Sequence, residues 1–229
     1  MRMTLEIYQE RIDEIELYFN ALKELYQTQS RESEHSFYND DFLKILKANA
    51  LIMIYNLVES SIMGGILEIY DELKNSGYNY KDVGKEIQDI WFSFKFNQVY
   101  DKTAHYNSYR DKAVEIINAI MRNEPIEMDR KATDISGNLD ADKIRQICSD
   151  HGITYTIDSA CRGGVALEDV KNKRNQLAHG TTSFAECGRY YAIDDLEKIK
   201  NETVIFLNGI LQGMKKYYDE KTYLKVVNN

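Results

Sequence analysis

The apolar residues of this chain recur at spacings of three and four along almost its whole length. Leu5, Tyr8, Ile12, Ile15, Phe19 and Leu22 fall on one face with Glu and Lys between them, which predicts a one-sided amphipathic helix. The pattern fades in the polar stretch 27–36, which reads as a loop. A second helix is predicted from Asn39 or Asp40, either of which can cap, to about Asn75. Its middle, Ala48 to Tyr70, is apolar on nearly every side. Length alone would allow a membrane span, but Asn49, Asn56 and Glu59 interrupt it and the flanks carry mixed charge, so a central core helix is expected. Glu59 then needs a cationic or hydrogen-bonding partner, because an unpaired carboxylate among apolar groups is costly.

Ser76-Gly77 ends that helix. A third is predicted from Asp82 to about Val99 and a fourth from Tyr109 to Arg122, stopped by Glu124-Pro125. Residues 123–138 look like a linker without marking a domain boundary. A short helix follows from Asp140 to Asp150 with Gly152 as C-cap, then an alternating segment, 153–157, that suits a short strand or extended chain. Arg162-Gly163-Gly164 reads as a turn. A helix beginning between Val165 and Glu168 ends at His179-Gly180. An irregular loop, 181–193, precedes a last helix, with Asp194 as N-cap and Glu197 completing a capping box, that runs to about Tyr223. The whole is an all-α bundle in a single domain, 1–229.

Composition fits that picture. The 229 residues contain one proline and 12 glycines, too few breakers for a many-turned β fold. The 17 tyrosines suit half-buried helix faces. A net charge of −8 excludes binding nucleic acid through bulk charge, so any such contact must rest on a local basic patch. Cys148, Cys161 and Cys187 form no CxxC pair and read as reduced structural residues. The N-terminus turns acidic at once and shows no apolar signal segment. These features describe a soluble cytoplasmic protein. No phosphate-loop or dinucleotide signature occurs, and no metal site or cofactor is expected. His35, His105 and His151 lie in polar segments and read as surface residues.

Chemistry concentrates in Lys171–Gly180. On a helical wheel Leu167, Val170, Leu177 and Ala178 share a stripe with Arg174 in its middle. Such an arginine must pair with a buried acid, line a cleft or enter an interface, and Glu59 is the candidate partner. His179 lies about 140° round from it by the ideal helical rotation. It sits in the last turn, where the negative end of the helix dipole attracts a cationic imidazole, and Gly180 leaves room beside it. A histidine there is also a favourable cap, and such an arginine a structural ion pair; the spacing leaves both readings open.

Arg174-Asn175-Gln176-Leu177-Ala178-His179 resembles the Arg-x4-His signature of the HEPN superfamily, which places it on a late helix before a long final one. Further stretches resemble one bacterial HEPN nuclease branch: Asn49-Ala50-Leu51, Tyr55 to Ser60, Ile135 to Asp140, and His179 to Phe184. The similarity runs from about residue 40 to 225. It implies a metal-independent endoribonuclease acting as a homodimer in a toxin–antitoxin or anti-phage role, with an antitoxin or defence-system partner protein. By the same resemblance His179 would be general base or acid for attack of the ribose 2′-hydroxyl, and Arg174 would hold the phosphate. Asn175 would orient the histidine or the backbone. Lys171 and Lys173, with Arg174 and Arg162, would form a basic strip for RNA. Some HEPN toxins carry, two residues after the histidine, a tyrosine that a partner nucleotidyltransferase modifies; Thr181 stands there, and Tyr190 and Tyr191 are too far along to replace it. The rival reading is a non-catalytic helical module that binds RNA, a nucleotide or a protein, with the Arg/His pair structural.

Overall fold

The computed structural model describes residues 1–31, 40–97, 106–133, 135 and 137–225. Among these the fold is all-α, with eight α-helices and no sheet: α1 (Arg2–Arg31), α2 (Asp40–Asn75), α3 (Lys85–Asn97), α4 (Tyr106–Met121), α5 (Ala141–His151), α6 (Ala166–Ala178), α7 (Phe184–Arg189) and α8 (Ile193–Asp219). Two 3-10 turns, Arg130–Thr133 and Ser159–Gly164, join them.

The near-continuous apolar run of α2 makes it the central element. It is long and apolar enough to cross a membrane, yet 61% of that apolar window is buried within the protein, as a core helix requires. Helices α1, α6, α7 and α8 pack around it. Leu51, Ile54, Tyr55, Val58, Ile62, Ile66 and Ile69 are fully enclosed, facing Phe19 of α1 and Phe206, Leu207 and Ile210 of α8 in one continuous core.

Several boundaries differ from the sequence reading, each for a local reason. α1 continues past Gln27 to Arg31, because the polar stretch contains no helix breaker. α3 begins at Lys85 and not at Asp82. The backbone of residues 82–84 pairs instead with the C-terminal segment, through Gly84 N–H to Tyr223 O (2.7 Å) and Lys225 N–H to Asp82 O (2.9 Å). Residues 123–138 are no spacer: Ile126, Thr133 and Ile135 are buried in the core. Segment 153–157 forms no strand; its Thr154 and Thr156 carbonyls lie against α8 at Gly213 and Gly209.

The predicted irregular loop at 181–193 contains α7. Ser183 caps it by accepting from Glu186 N–H (3.1 Å). Gly188 then lies directly on α2, where a Cβ would stand 1.8 Å from the carbonyl oxygen of Lys44. Asp195 caps α8 by accepting from Ala192 N–H (3.1 Å), so the capping register differs from the Asp194/Glu197 pairing. Glu197 instead pairs with Lys23 of α1. α8 ends at Asp219, and Tyr223 lies in the segment that turns back onto Gly84.

His151 is a core residue, contrary to the surface reading. It is the last residue of α5, 3% exposed, and the helix turns its ring inward. Nδ1–H donates to Ile147 O (2.7 Å), since a carbonyl only accepts, leaving Nε2 to accept from Tyr70 Oη (2.7 Å). Burial pushes its pKa below the usual histidine range. His35 and His105 lie outside the described residues.

Candidate active site

α6 follows a turn whose left-handed residues are Arg162, Gly163 and Gly164 (φ 48°, 68° and 79°). Its inner face is Leu167, Val170 and Leu177, all buried; Ala178 is exposed and does not extend the stripe. Arg174 lies between Val170 and Leu177 with its side chain 28% exposed. The wheel's placement holds for Arg174 though not for Ala178, and its consequence is a half-buried guanidinium that needs partners.

Three elements supply them. From α2, the Tyr55 ring lies beneath the guanidinium at 4.6 Å and the Glu59 carboxylate stands 3.8 Å from Nη2, so the expected Arg174–Glu59 pairing is present as a long contact. From the segment leading into α5, Gly137 O accepts from Nη1 (3.3 Å). Gly137 has φ +76°, and a Cβ there would stand 3.3 Å from the same nitrogen. From α6 itself, Asn175 Oδ1 accepts from Nη1 (3.0 Å). Arginine only donates, so this fixes the amide orientation, and Asn175 Nδ2 donates to Asn138 Oδ1 (2.8 Å). Leu139 N–H donates to Tyr55 Oη (3.2 Å). Burial raises the Tyr55 pKa, keeping the phenol neutral. Residues 137–139 thus bind, in succession, Arg174, Asn175 and Tyr55.

Asn175 therefore orients the arginine, while its backbone carbonyl accepts from His179 N–H (3.0 Å) and closes the helix end. His179 is the C-cap residue of α6 and its side chain is exposed. Gly180 takes φ +67°, and among the described residues nothing lies within 4 Å of where its Cβ would be. Thr181 closes the turn, its N–H and hydroxyl both reaching Gln176 O (3.0 and 3.1 Å).

The lysines differ. Lys171 Nζ pairs with Asp140 (2.6 Å), the N-cap of α5, and that carboxylate raises the Lys171 pKa. Lys173 Nζ reaches Gln176 Oε1 at 3.5 Å. Arg162 makes a two-pronged bond to Glu202 (2.9 Å each). Of the expected basic strip, Lys171, Arg162 and Arg174 thus each face a carboxylate. Among the described residues no group of three or more His, Cys, Asp or Glu side chains converges as a metal site would.

A family profile matches residues 5–223, nearly the whole chain, and it is that of the MAE_28990-like HEPN family. The chain belongs to that HEPN family. Comparison with curated proteins and with solved structures gives no match. HEPN membership agrees with the all-α bundle and gives the Arg174-x4-His179 pair on α6 a nuclease-like or related context. Sequence reasoning named Glu59, Arg174, Asn175 and His179 but missed the structural roles of Tyr55, Gly137 and Asn138. The available signal was Gly137-Asn138, a turn-forming pair set between apolar Ile135 and Leu139, which a solvated linker would not need.

Proposed function

We propose that this HEPN protein is a metal-independent endoribonuclease that cleaves RNA through attack of a ribose 2′-hydroxyl on the adjacent phosphate. The observation that carries the reading is the division of labour at the end of α6. Arg174 is held by four neighbours, whereas His179, five residues on, is exposed beside open space at Gly180. Internal attack needs proton transfer and stabilisation of charge on the phosphate. In this reading His179 moves the proton as general base or acid, and Arg174 binds the phosphate and stabilises its transition-state charge. Asn175 positions Arg174, and Lys173 contacts the strand, with Lys171 contributing where RNA displaces Asp140. The active species is a homodimer in which two such sites face one RNA. Its role is that of a cytoplasmic toxin or anti-phage effector, held in check by an antitoxin or defence-system partner.

One observation favours a second reading. The contacts of Arg174 with Tyr55 and Glu59 also suit a structural arginine in a non-catalytic module that binds RNA, a nucleotide or a protein. Wild type and His179→Ala, assayed on several RNAs with EDTA present, separate the two. Cleavage by wild type and none by the variant, with the dimer intact, is the expected result. Cleavage that persists in His179→Ala, or that requires a divalent metal, overturns the proposal. A wild-type protein inert on every RNA supports the binding module.

A further inference from the structure

Glu59 is shared. Its Oε2 faces Arg174 Nη2 at 3.8 Å, and its Oε1 faces Arg130 Nη2 at 3.4 Å. Both distances exceed the 2.7–2.9 Å typical of a charge-assisted hydrogen bond, so the carboxylate is held loosely from either side. One negative charge between two guanidiniums leaves a local excess of positive charge on an otherwise acidic chain. Both guanidiniums therefore border the same acid, one at each carboxylate oxygen.

Arg130 is presented for contact with solvent, its side chain being 66% exposed. Its backbone is nonetheless anchored. It opens the 3-10 turn Arg130–Thr133, and the buried Thr133 hydroxyl donates to Arg130 O (2.8 Å) while accepting from Ile135 N–H (3.2 Å). Thr133 and Ile135 are 2% and 6% exposed, so the turn is fixed against the core while Arg130 and Lys131 face outward. The nearest acids in sequence are engaged elsewhere. Asp129 accepts from Lys131 N–H (2.7 Å) and Glu127 pairs with Lys74 (3.4 Å). An exposed ion pair contributes little stability, so Arg130 is not required to hold the fold together.

We propose that Arg130 is a second phosphate-binding residue of the Arg174–His179 site, contacting the RNA phosphate next to the one held by Arg174. Glu59 lies between the two guanidiniums and is their shared counter-ion until RNA arrives. The assignment rests on the ribonuclease reading above and extends it to a substrate with at least two consecutive phosphates.

The test uses the full chain and a 2′-O-methyl dodecanucleotide, which 2′-hydroxyl attack cannot cleave, titrated between 50 and 200 mM salt. Arg130→Ala is expected to bind roughly tenfold more weakly, the scale of one lost charged hydrogen bond. The slope of log affinity against log salt should fall by about 0.7, the value for one single-strand phosphate contact. Arg130→Lys should keep the slope, because a point charge still displaces a counterion. A dinucleoside monophosphate, with one phosphate, should bind wild type and Arg130→Ala alike. Wild-type slope and affinity in Arg130→Ala, in a protein whose wild type cleaves unmodified RNA, overturn this inference and leave the nuclease reading standing. A wild type that neither binds nor cleaves RNA overturns both.

Discussion

The two residues of the motif differ in what their removal does to the fold, and that difference can be measured. Arg174→Ala deletes a guanidinium stacked 4.6 Å over the buried Tyr55 ring and bonded to Gly137 O and Asn175 Oδ1. A partly desolvated cation–π contact is worth about 1 kcal/mol. Two net hydrogen bonds add about 1 kcal/mol each. The 3.8 Å contact with Glu59 adds little, because both side chains are over 20% exposed and Glu59 keeps Arg130. The expected loss is therefore about 2–3 kcal/mol, which for a domain of this size lowers the melting temperature by roughly 5–10 °C. His179→Ala removes an exposed side chain beyond the last helical turn and should cost under about 0.5 kcal/mol, a shift below roughly 2 °C. Thermal melts by circular dichroism, with urea midpoints as a second measure, give both numbers. Should Arg174→Ala melt within about 2 °C of wild type, or His179→Ala fall as far as Arg174→Ala, the division of roles along α6 is wrong.

Two other substitutions test the fold that carries the site. His151 is buried and its pKa is depressed by desolvation, so unfolding leads to proton uptake once the pH falls below the unfolded value of about 6.5. Stability is full above that pH and declines below it, with a slope of up to about 1.4 kcal/mol per pH unit, until the folded-state pKa is reached. His151→Gln should flatten this part of the curve in urea titrations between pH 5 and pH 7, and an unchanged slope would refute the assignment. Gly188→Ala places a methyl group 1.8 Å from Lys44 O, a backbone atom that cannot swing aside. Lifting α7 off α2 should destabilise the domain by about 3 kcal/mol or more. A urea midpoint like that of wild type would show that α7 is not seated as described.

Most of the bundle could be read from the chain because its helices are long and strongly apolar, on one face in α1 and on nearly every side in α2. The ends of α2 and α5 were read to within a residue, α2 from Asn39 or Asp40 and Ser76-Gly77 and α5 with Gly152 as its C-cap, while the N-cap role of Asp140 emerged only in the structure. Short elements were harder. Helix α7 has six residues, too few for periodicity to register, and it is held by the close seating of Gly188 on α2, a long-range contact. The Asp194 capping reading failed because two aspartates sit together, and Asp195 is the one whose carboxylate reaches back to Ala192 N–H. At the site, the wheel found a half-buried Arg174 and the chemistry of burial pointed to Glu59. Gly137, Asn138 and Arg130 stayed hidden because their segment is polar and irregular, and only tertiary packing brings it against α2 and α6.

The succession of bonds from residues 137–139 to Arg174, Asn175 and Tyr55 ties α6 to α2 at the level of Arg174. His179 lies beyond that tie, secured by the turn that closes at Thr181. The end of the motif that carries His179 is therefore expected to open locally at lower free energy than the end that carries Arg174. Transient fraying of the final turn would carry the histidine away while the arginine stayed in register. The site could then disassemble and reassemble without unfolding the bundle, and amide exchange would be fast at Gly180 and slow at Arg174.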